Sequence, residues 1–306
     1  MVWKKMYVTG ACGALYDGAS PDGSAQQDQI TRVHQAYGRN YQLPNITAHN
    51  ETCANIGNLL WSWRMFLVTG EAKYVDVLEQ AFYNSVLSGV SLDGTEYFYV
   101  NPLRVVEPLP TKLRYPRTRQ KFFTSFCCPP NVVRTIVQAG EYAYIKTDDA
   151  VWVNLYGANE LTTELGDDPL HLVQSTDYPW DGSIRFDVKN CPGDFTLRLR
   201  IPAWADSAQL TVNGTPAEIN QTQGYAMLRR AWRPGDRVEL RLPMPTVLLE
   251  AHPLVEELQE QVAIRRGPIV YCLESVDLPD EVDLEEVAIP LDIELTATSM
   301  SGEFEG

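Results

Sequence analysis

The strongest constraint on the fold is a change of hydrophobic period near residue 145. Before it, apolar residues recur three or four positions apart, which is typical of helices with one buried face. After it, short runs alternate between apolar and polar residues, as strands with one buried face do. A chain of 306 residues is long enough to bury more than one core. The sequence therefore predicts an α+β chain of several domains, helical first and β-rich afterwards.

Three helices are predicted in the first half. The first begins near Glu51, with Asn50 as its N-cap, and ends at Gly70. The second covers about 72–87, and the third begins at the prolines, because Pro129 or Pro130 suits a first helical turn. Paired helices around one core indicate part of an α/α barrel. Three helices cannot close such a barrel, so we expect its first half to lie upstream of this chain.

The second half is predicted to be an antiparallel β-sandwich. Residues 142–156 give two strands around a turn at 147–149, and further alternating runs follow. Turn dipeptides separate these runs, namely Pro192-Gly193, Asn213-Gly214 and Pro234-Gly235. The predicted domains are the helical part at 1–145, the sandwich at 146–290, and the start of a further segment at 291–306.

Charge and composition exclude several classes of function. The net charge of −15 argues against a nucleic-acid partner, and the lack of a long apolar run argues against a membrane span. The first ten residues have no apolar core of a signal peptide. Six cysteines in so long a chain indicate a reducing compartment or a metal site rather than a disulfide framework. A bacterial cytoplasm and a periplasm both stay open, as does the oligomeric state.

The adjacent cysteines in TSFCCPPN are the most unusual motif. Cys127 and Cys128 precede one predicted helix, and Glu51 and Cys53 in HNETCAN begin another. Three sulfurs and one carboxylate match the ligand number and type that zinc accepts. The helix dipole at both sites also favours thiolates. From the pattern alone, a metal site, buried inert thiols and a single reactive cysteine all remain open.

Two loops are candidates for binding a polar ligand. The loop at 33–45 combines aromatic and polar groups suited to a ligand with many hydroxyls, although it could equally be a structural connection. Its candidate substrate-binding residues are His34, Tyr37, Arg39 and Asn45. The loop at 104–121 is either a solvated segment or a cationic rim for an anionic substrate. Its basic residues are Arg104, Lys112, Arg114, Arg117, Arg119 and Lys121.

Several motifs together resemble glycoside hydrolase family 127, the β-L-arabinofuranosidase type. They are YVTGACG, YQLPN, NETCAN, NSVLSGVSLDG, FYVNPL, FCCPPNVVR and RRGPIVYCLE, and they extend over essentially the whole chain. The resemblance implies a C-terminal part of such a protein, with the second half of an (α/α)6 barrel followed by a β-sandwich. It also implies a glycoside or oligosaccharide as substrate.

The resemblance implies a mechanism and a zinc ion as cofactor. The zinc ligands would be Glu51, Cys53, Cys127 and Cys128. Cys127 would also be the nucleophile of a retaining exo-glycoside hydrolysis. The family's acid/base glutamate aligns with Gln35, in HQAYG, and an amide has no titratable proton near pH 7.

Three explanations of Gln35 compete: an inactive chain, an acid from elsewhere, or a different substrate. We favour the last two together, because Gln35 removes a charge that would repel an acidic sugar. The motif is similar to that of a subgroup associated with pectin breakdown and release of aceric acid. The leading hypothesis is thus a zinc-dependent hydrolase of plant cell-wall furanosides. A non-catalytic carbohydrate-binding protein with a structural zinc is the alternative, and a redox sensor is the weakest.

Overall fold

A computed structural model describes residues 2–15, 37–109, 115–290 and 292–298. The helices are α1 (Val2–Lys5), α2 (Thr52–Thr69), α3 (Ala72–Ala81), α4 (Cys128–Val137) and α5 (Ala139–Ala143). A π-helical turn at Phe82–Val86 and a 3-10 turn at Leu87–Gly89 extend α3. The three helices expected from the apolar spacing are confirmed. Among the residues described, no helix combines the length and apolarity that crossing a bilayer requires.

The C-terminal end of α2 agrees with the sequence prediction, whereas its N-terminal end does not. Gly70 ends the helix in the left-handed conformation, with φ of 68°, as a C-terminal glycine commonly does. The prediction of Asn50 as N-cap is wrong, because Glu51 occupies that position. The Asn50 side chain makes two other hydrogen bonds instead of capping the helix. It donates to the Asn101 carbonyl (2.8 Å) and accepts from Asn55 Nδ2 (2.7 Å), which ties the start of α2 to a neighbouring loop.

The second half folds into two sheets that share one core. In the first sheet, of six strands, the spatial order is β10 (Thr215–Pro216), β9 (Gln209–Val212), β13 (Arg237–Arg241), β7 (Ser183–Asn190), β6 (Asp168–Ser175) and β5 (Asn159–Leu165). In the second, of five strands, it is β11 (Gln221–Thr222), β12 (Tyr225–Ala231), β8 (Asp194–Arg200), β4 (Ala150–Val153) and β3 (Tyr144–Lys146). Side chains of both sheets form a single buried cluster, as in a β-sandwich.

One strand pair departs from the antiparallel prediction. β4 and β8 pair in parallel, with Ala150 opposite Thr196. The chain leaves the second sheet after β4 and forms β5, β6 and β7 in the first before it returns, so the connection is long enough to bring β8 back in the same direction. The tight turn predicted at Asn213-Gly214 is confirmed between β9 and β10, with positive φ at both residues.

Two smaller sheets complete the described fold. β1 (Ala14–Leu15) pairs with β2 (Ala48–His49) close to the start of α2. β14 (Thr246–Glu250), β15 (Val262–Arg266) and β16 (Ile269–Tyr271) form a three-stranded antiparallel sheet. A mixed α+β chain with several sheets is therefore confirmed, whereas the half barrel and the exact domain limits stay predictions.

The helical part packs against the second sandwich sheet through a buried ionic network. Arg200, at the end of β8, is fully buried and contacts Asp76 Oδ1 (2.6 Å) and Glu79, both on α3. Its Nε donates to the Asn154 carbonyl (2.6 Å), and the Tyr178 hydroxyl donates to Glu79 Oε1 (2.7 Å). Burial raises the pKa of Asp76 to about 6, although the guanidinium acts in the opposite direction. This network joins the two halves that the sequence pattern distinguishes.

Candidate metal centre

Two helix N-termini meet at the candidate site. Glu51 is the N-cap of α2, and Cys53 lies in the first turn of that helix. Cys127 is the N-cap of α4, which begins at Cys128. The prolines that follow the cysteine pair lie in the first turn, as predicted, and both thiols stand at the electropositive end of the helix. Residues 74 positions apart in the chain are thereby brought to one place by the packing of α2 on α4.

The four side chains have the spacing of a tetrahedral metal site. Their ligand atoms all lie within 4.8 Å of one another. The Cys128 sulfur is 3.5 Å from that of Cys53 and 3.7 Å from that of Cys127, and Glu51 Oε1 is 3.7 Å from the Cys127 sulfur. Sulfur ligands at about 2.3 Å from a tetrahedral zinc would lie about 3.8 Å apart. The donor set and its spacing therefore fit zinc.

His49 orients the carboxylate of this cluster. Its ring is fully buried, and its Nε2 lies 3.4 Å from Glu51 Oε2, which leaves Oε1 directed at Cys127. The ring also packs against Tyr99 and Tyr115, whose own rings stack at 3.7 Å. Such outer contacts fix the direction of a ligand before a metal arrives. The geometry of His49 is that of a positioning residue.

The electrostatic surroundings of the three thiols differ. The hydrogen bond between the Cys53 and Cys128 sulfurs lowers the pKa of Cys53 to about 7 despite partial burial. The same bond raises the pKa of Cys128, and burial adds to that rise. Burial is also the main cause that raises the pKa of Cys127. A bound cation would stabilise the thiolate form of all three sulfurs, since metal ligation requires deprotonated cysteine.

Tyr99 is a contact of the cluster that the sequence did not single out. Its carbonyl oxygen lies 3.9 Å from the Cys128 sulfur, and its hydroxyl is hydrogen-bonded to Cys127. The only sequence signal was its place within FYVNPL, because an isolated aromatic residue between loops carries no periodicity. Tyr99 is buried and forms a fixed wall beside Cys127 and Cys128.

The loop at 33–45 is only partly described. His34 and Gln35 lie outside the described residues, so their proposed roles stay predictions. Tyr37 is partly exposed and hydrogen-bonds Cys12, while Arg39 is exposed. In the described part of the chain, Asn45 Oδ1 is buried without a hydrogen-bond partner. Among the residues that the structure describes, no hydrogen bond or ion pair joins Tyr37, Arg39 or Asn45 to the four-residue cluster. Their substrate-binding role stays a prediction.

The basic loop at 104–121 has much of its charge engaged within the chain. Arg104 pairs with Glu285 at 3.2 Å, and Arg117 pairs with Glu107. Arg119 donates to the Ser88 carbonyl (2.8 Å) and lies over the Phe98 ring. Lys112 and Arg114 lie outside the described residues. These three arginines therefore have structural partners, which weakens the interpretation of the loop as a cationic rim.

The chain belongs to glycoside hydrolase family 127. Residues 1–141 match the catalytic domain of the GH127 β-L-arabinofuranosidases, residues 150–244 match the middle domain of that group, and residues 246–300 match the family's C-terminal domain. The resemblance inferred from the motifs is thus confirmed.

The relatives of this chain are longer than the chain itself. It is 33% identical over 296 residues to the non-reducing end β-L-arabinofuranosidase of Bifidobacterium longum subsp. longum, over 92% of this chain and 42% of that protein. A solved glycoside hydrolase superposes with a TM-score of 0.93 and 54% identity, over 99% of this chain and 51% of that one. A GH127 β-L-arabinofuranosidase from Geobacillus stearothermophilus T6 superposes with a TM-score of 0.79 and 41% identity, over 90% of this chain and 42% of that one. The chain spans about half the length of these proteins.

Replacing one ligand tests the metal centre directly. We expect Cys53→Ser to lower bound zinc from about one ion per chain to less than about a tenth of that, because a neutral hydroxyl is a far poorer zinc ligand than a thiolate. Metal analysis of protein purified with zinc and then dialysed measures this. Cys272→Ser, at an exposed cysteine outside the cluster, is the matched control and should keep its zinc. Equal zinc in both variants would contradict the assigned site.

Proposed function

We propose that this chain supplies the metal centre and nucleophile of a zinc-dependent retaining exo-glycoside hydrolase that acts on plant cell-wall furanosides. The observation that carries the proposal is the cluster of Glu51, Cys53, Cys127 and Cys128, formed at two helix N-termini in a chain of family 127. Two relatives are named as β-L-arabinofuranosidases, which supports a β-L-arabinofuranoside as the substrate class.

The geometry supports separate roles for the four ligands. Zinc, when bound, would supply the positive charge that keeps sulfur deprotonated near neutral pH. Glu51 is held by His49, and Cys128 is buried against Tyr99, so both are suited to fixed ligation. Of the adjacent pair, Cys127 is partly exposed whereas Cys128 is buried. We therefore assign the nucleophile of the pair to Cys127.

The reaction proposed for Cys127 proceeds in two displacements. The sulfur attacks the anomeric carbon, a C–S bond forms, and the bond from that carbon to the leaving oxygen breaks. An acid gives its proton to the leaving oxygen. The same group then takes a proton from water as the water displaces sulfur and frees the sugar. Two inversions restore the original configuration, which is why the enzyme would be retaining.

The glutamine at position 35 bears on whether the substrate is a neutral or an acidic furanoside. An amide cannot give the proton that the leaving oxygen needs, so the acid must come from another group. We propose that the loss of a carboxylate at this position adapts the site to an acidic branched sugar such as aceric acid. On this proposal, Gln35→Glu lowers turnover of an acidic furanoside relative to a neutral one.

A hydrolysis assay on the whole protein tests the proposal. We expect sugar release from the non-reducing end of a furanoside with retained anomeric configuration, followed by NMR, and loss of activity after zinc is removed by a chelator. A protein that binds zinc, binds the furanoside, and cleaves neither neutral nor acidic forms would contradict it. That outcome would instead favour a non-catalytic carbohydrate-binding protein with a structural zinc, an alternative supported by Gln35.

A further inference from the structure

Asn131 connects the candidate metal centre to the surface of α4. Its Nδ2 lies 3.0 Å from the Cys53 sulfur, and its Oδ1 accepts from Arg134 Nη2 at 2.6 Å. Asn131 stands one turn after Cys127 and one turn before Arg134, so these three residues share one face of α4. The amide is therefore placed between a sulfur on α2 and an exposed cation on its own helix.

The two contacts together dictate which way the amide faces. A guanidinium offers only N–H donors, so the atom facing Arg134 must be the oxygen. The amide nitrogen is then directed at Cys53, where it can donate to sulfur. The reversed orientation would put two donors against each other at Arg134 and an oxygen lone pair against the sulfur. Arg134 thus selects the orientation in which Asn131 donates.

The helix holds Asn131 firmly in this position. Its backbone N–H donates to the Cys127 carbonyl (3.3 Å), and its carbonyl accepts from the Thr135 hydroxyl (2.8 Å). A donor built on a rigid helix is more precise than one on a loop. Since α4 also carries two of the ligands, the hydrogen bond to Cys53 joins the ligands of α2 and α4 into one geometry.

We infer that Asn131, oriented by Arg134, is a positioning residue that fixes the Cys53 sulfur as a metal ligand. The inference rests on the metal site of the proposed function. In the described part of the cluster, Asn131 is the one side-chain amide that donates to a sulfur of the three cysteines. Cys53 is thereby held as a ligand, whereas among the residues that the structure describes no side-chain amide donates to Cys127, the sulfur proposed to react.

Cobalt binding tests the inference without an activity assay. The full chain is freed of metal and titrated with Co²⁺, and the absorption of the sulfur-to-cobalt bands is recorded. Asn131→Asp keeps the shape of the side chain but replaces the donor by an acceptor, and it should weaken Co²⁺ binding about 10–100-fold, as loss of an outer contact typically does. Arg134→Gln should weaken it less, by under about tenfold.

A control variant separates position from charge. Val137→Asp adds the same charge to the same helix at a residue that is 79% exposed, and it should leave Co²⁺ affinity within about twofold. Arg134→Gln changes an exposed side chain and keeps the inference testable if Asn131→Asp does not fold. Equal affinity of the wild type, Asn131→Asp and Arg134→Gln would overturn the inference, as would equal weakening by Val137→Asp.

Alkylation of the metal-free chain provides a measurement that does not depend on metal. Iodoacetamide should modify Cys53 about 3–10-fold more slowly in Asn131→Asp than in the wild type, because the thiolate loses a donor and gains a negative neighbour. Peptide mass spectrometry resolves Cys53 from Cys272, which serves as the internal reference. If the wild type binds no metal but this slowing occurs, the contact stands and the proposed metal site fails. If the wild type binds no metal and the slowing is also absent, then both the Asn131–Cys53 contact and the proposed metal site fail.

Discussion

Cys127→Ser should lower turnover of a cleavable furanoside by at least about 1,000-fold in the whole protein. The serine hydroxyl is a much weaker nucleophile than a thiolate near pH 7, and removal of a covalent nucleophile commonly costs this much or more. The loss should appear in kcat, because the missing bond forms only along the reaction. Steady-state assays with zinc present in excess measure it.

Covalent labelling distinguishes a cysteine that attacks the sugar from one that only binds zinc. A haloacetamide-type glycoside probe should modify Cys127 in the wild type, identified by peptide mass spectrometry, and should leave Cys53 and Cys128 unmodified in the zinc-loaded protein. Cys272→Ser is the control and should retain full turnover and labelling, since Cys272 is exposed outside the cluster. Turnover by Cys127→Ser within tenfold of the wild type would exclude Cys127 as nucleophile.

Much of the secondary structure could be predicted because it depends on local patterns. The spacing of apolar residues gave α2 and α3, and Gly70 gave the end of α2, since only a residue that tolerates positive φ suits that position. The N-cap was missed because Asn50 has a better use elsewhere: two tertiary hydrogen bonds, to Asn55 and to Asn101, compete with capping. The bond to Asn101 depends on a residue far along the chain and leaves no trace in a local pattern.

The ligands of the candidate site were easier to predict than the residues that position them. The cysteine pattern alone left a metal site, inert thiols and a reactive cysteine open, and the resemblance to the family implied these four residues as the ligands. Tyr99 and Asn131 are ordinary residues in ordinary contexts, and only the packing of α2 on α4 brings them to the sulfurs. The parallel pairing of β4 with β8 was missed for a similar reason, because strand direction within a sheet depends on where the intervening strands pack.

Arg200→Met should lower the free energy of unfolding by about 3–5 kcal/mol. The guanidinium is fully buried, and its two carboxylate partners on α3 have side-chain exposures of 19% for Asp76 and 2% for Glu79. Methionine fills similar volume but leaves both carboxylates without a counter-charge, and an unpaired buried charge costs about this much. Urea denaturation of the full chain, followed by both fluorescence and circular dichroism, measures the change.

Two further variants show whether the loss arises from the unpaired charges or from the interface as a whole. Arg229→Met removes a guanidinium that is 64% exposed and paired with Asp194, and it should cost less than about 1 kcal/mol. The triple variant Arg200→Met, Asp76→Asn, Glu79→Gln should recover part of the loss, because no charge is then left buried. If Arg200→Met proves no more costly than Arg229→Met, the network does not stabilise the contact between α3 and β8. If instead the two probes cease to unfold together in Arg200→Met, the network is what couples the helical part to the sandwich in a single cooperative transition.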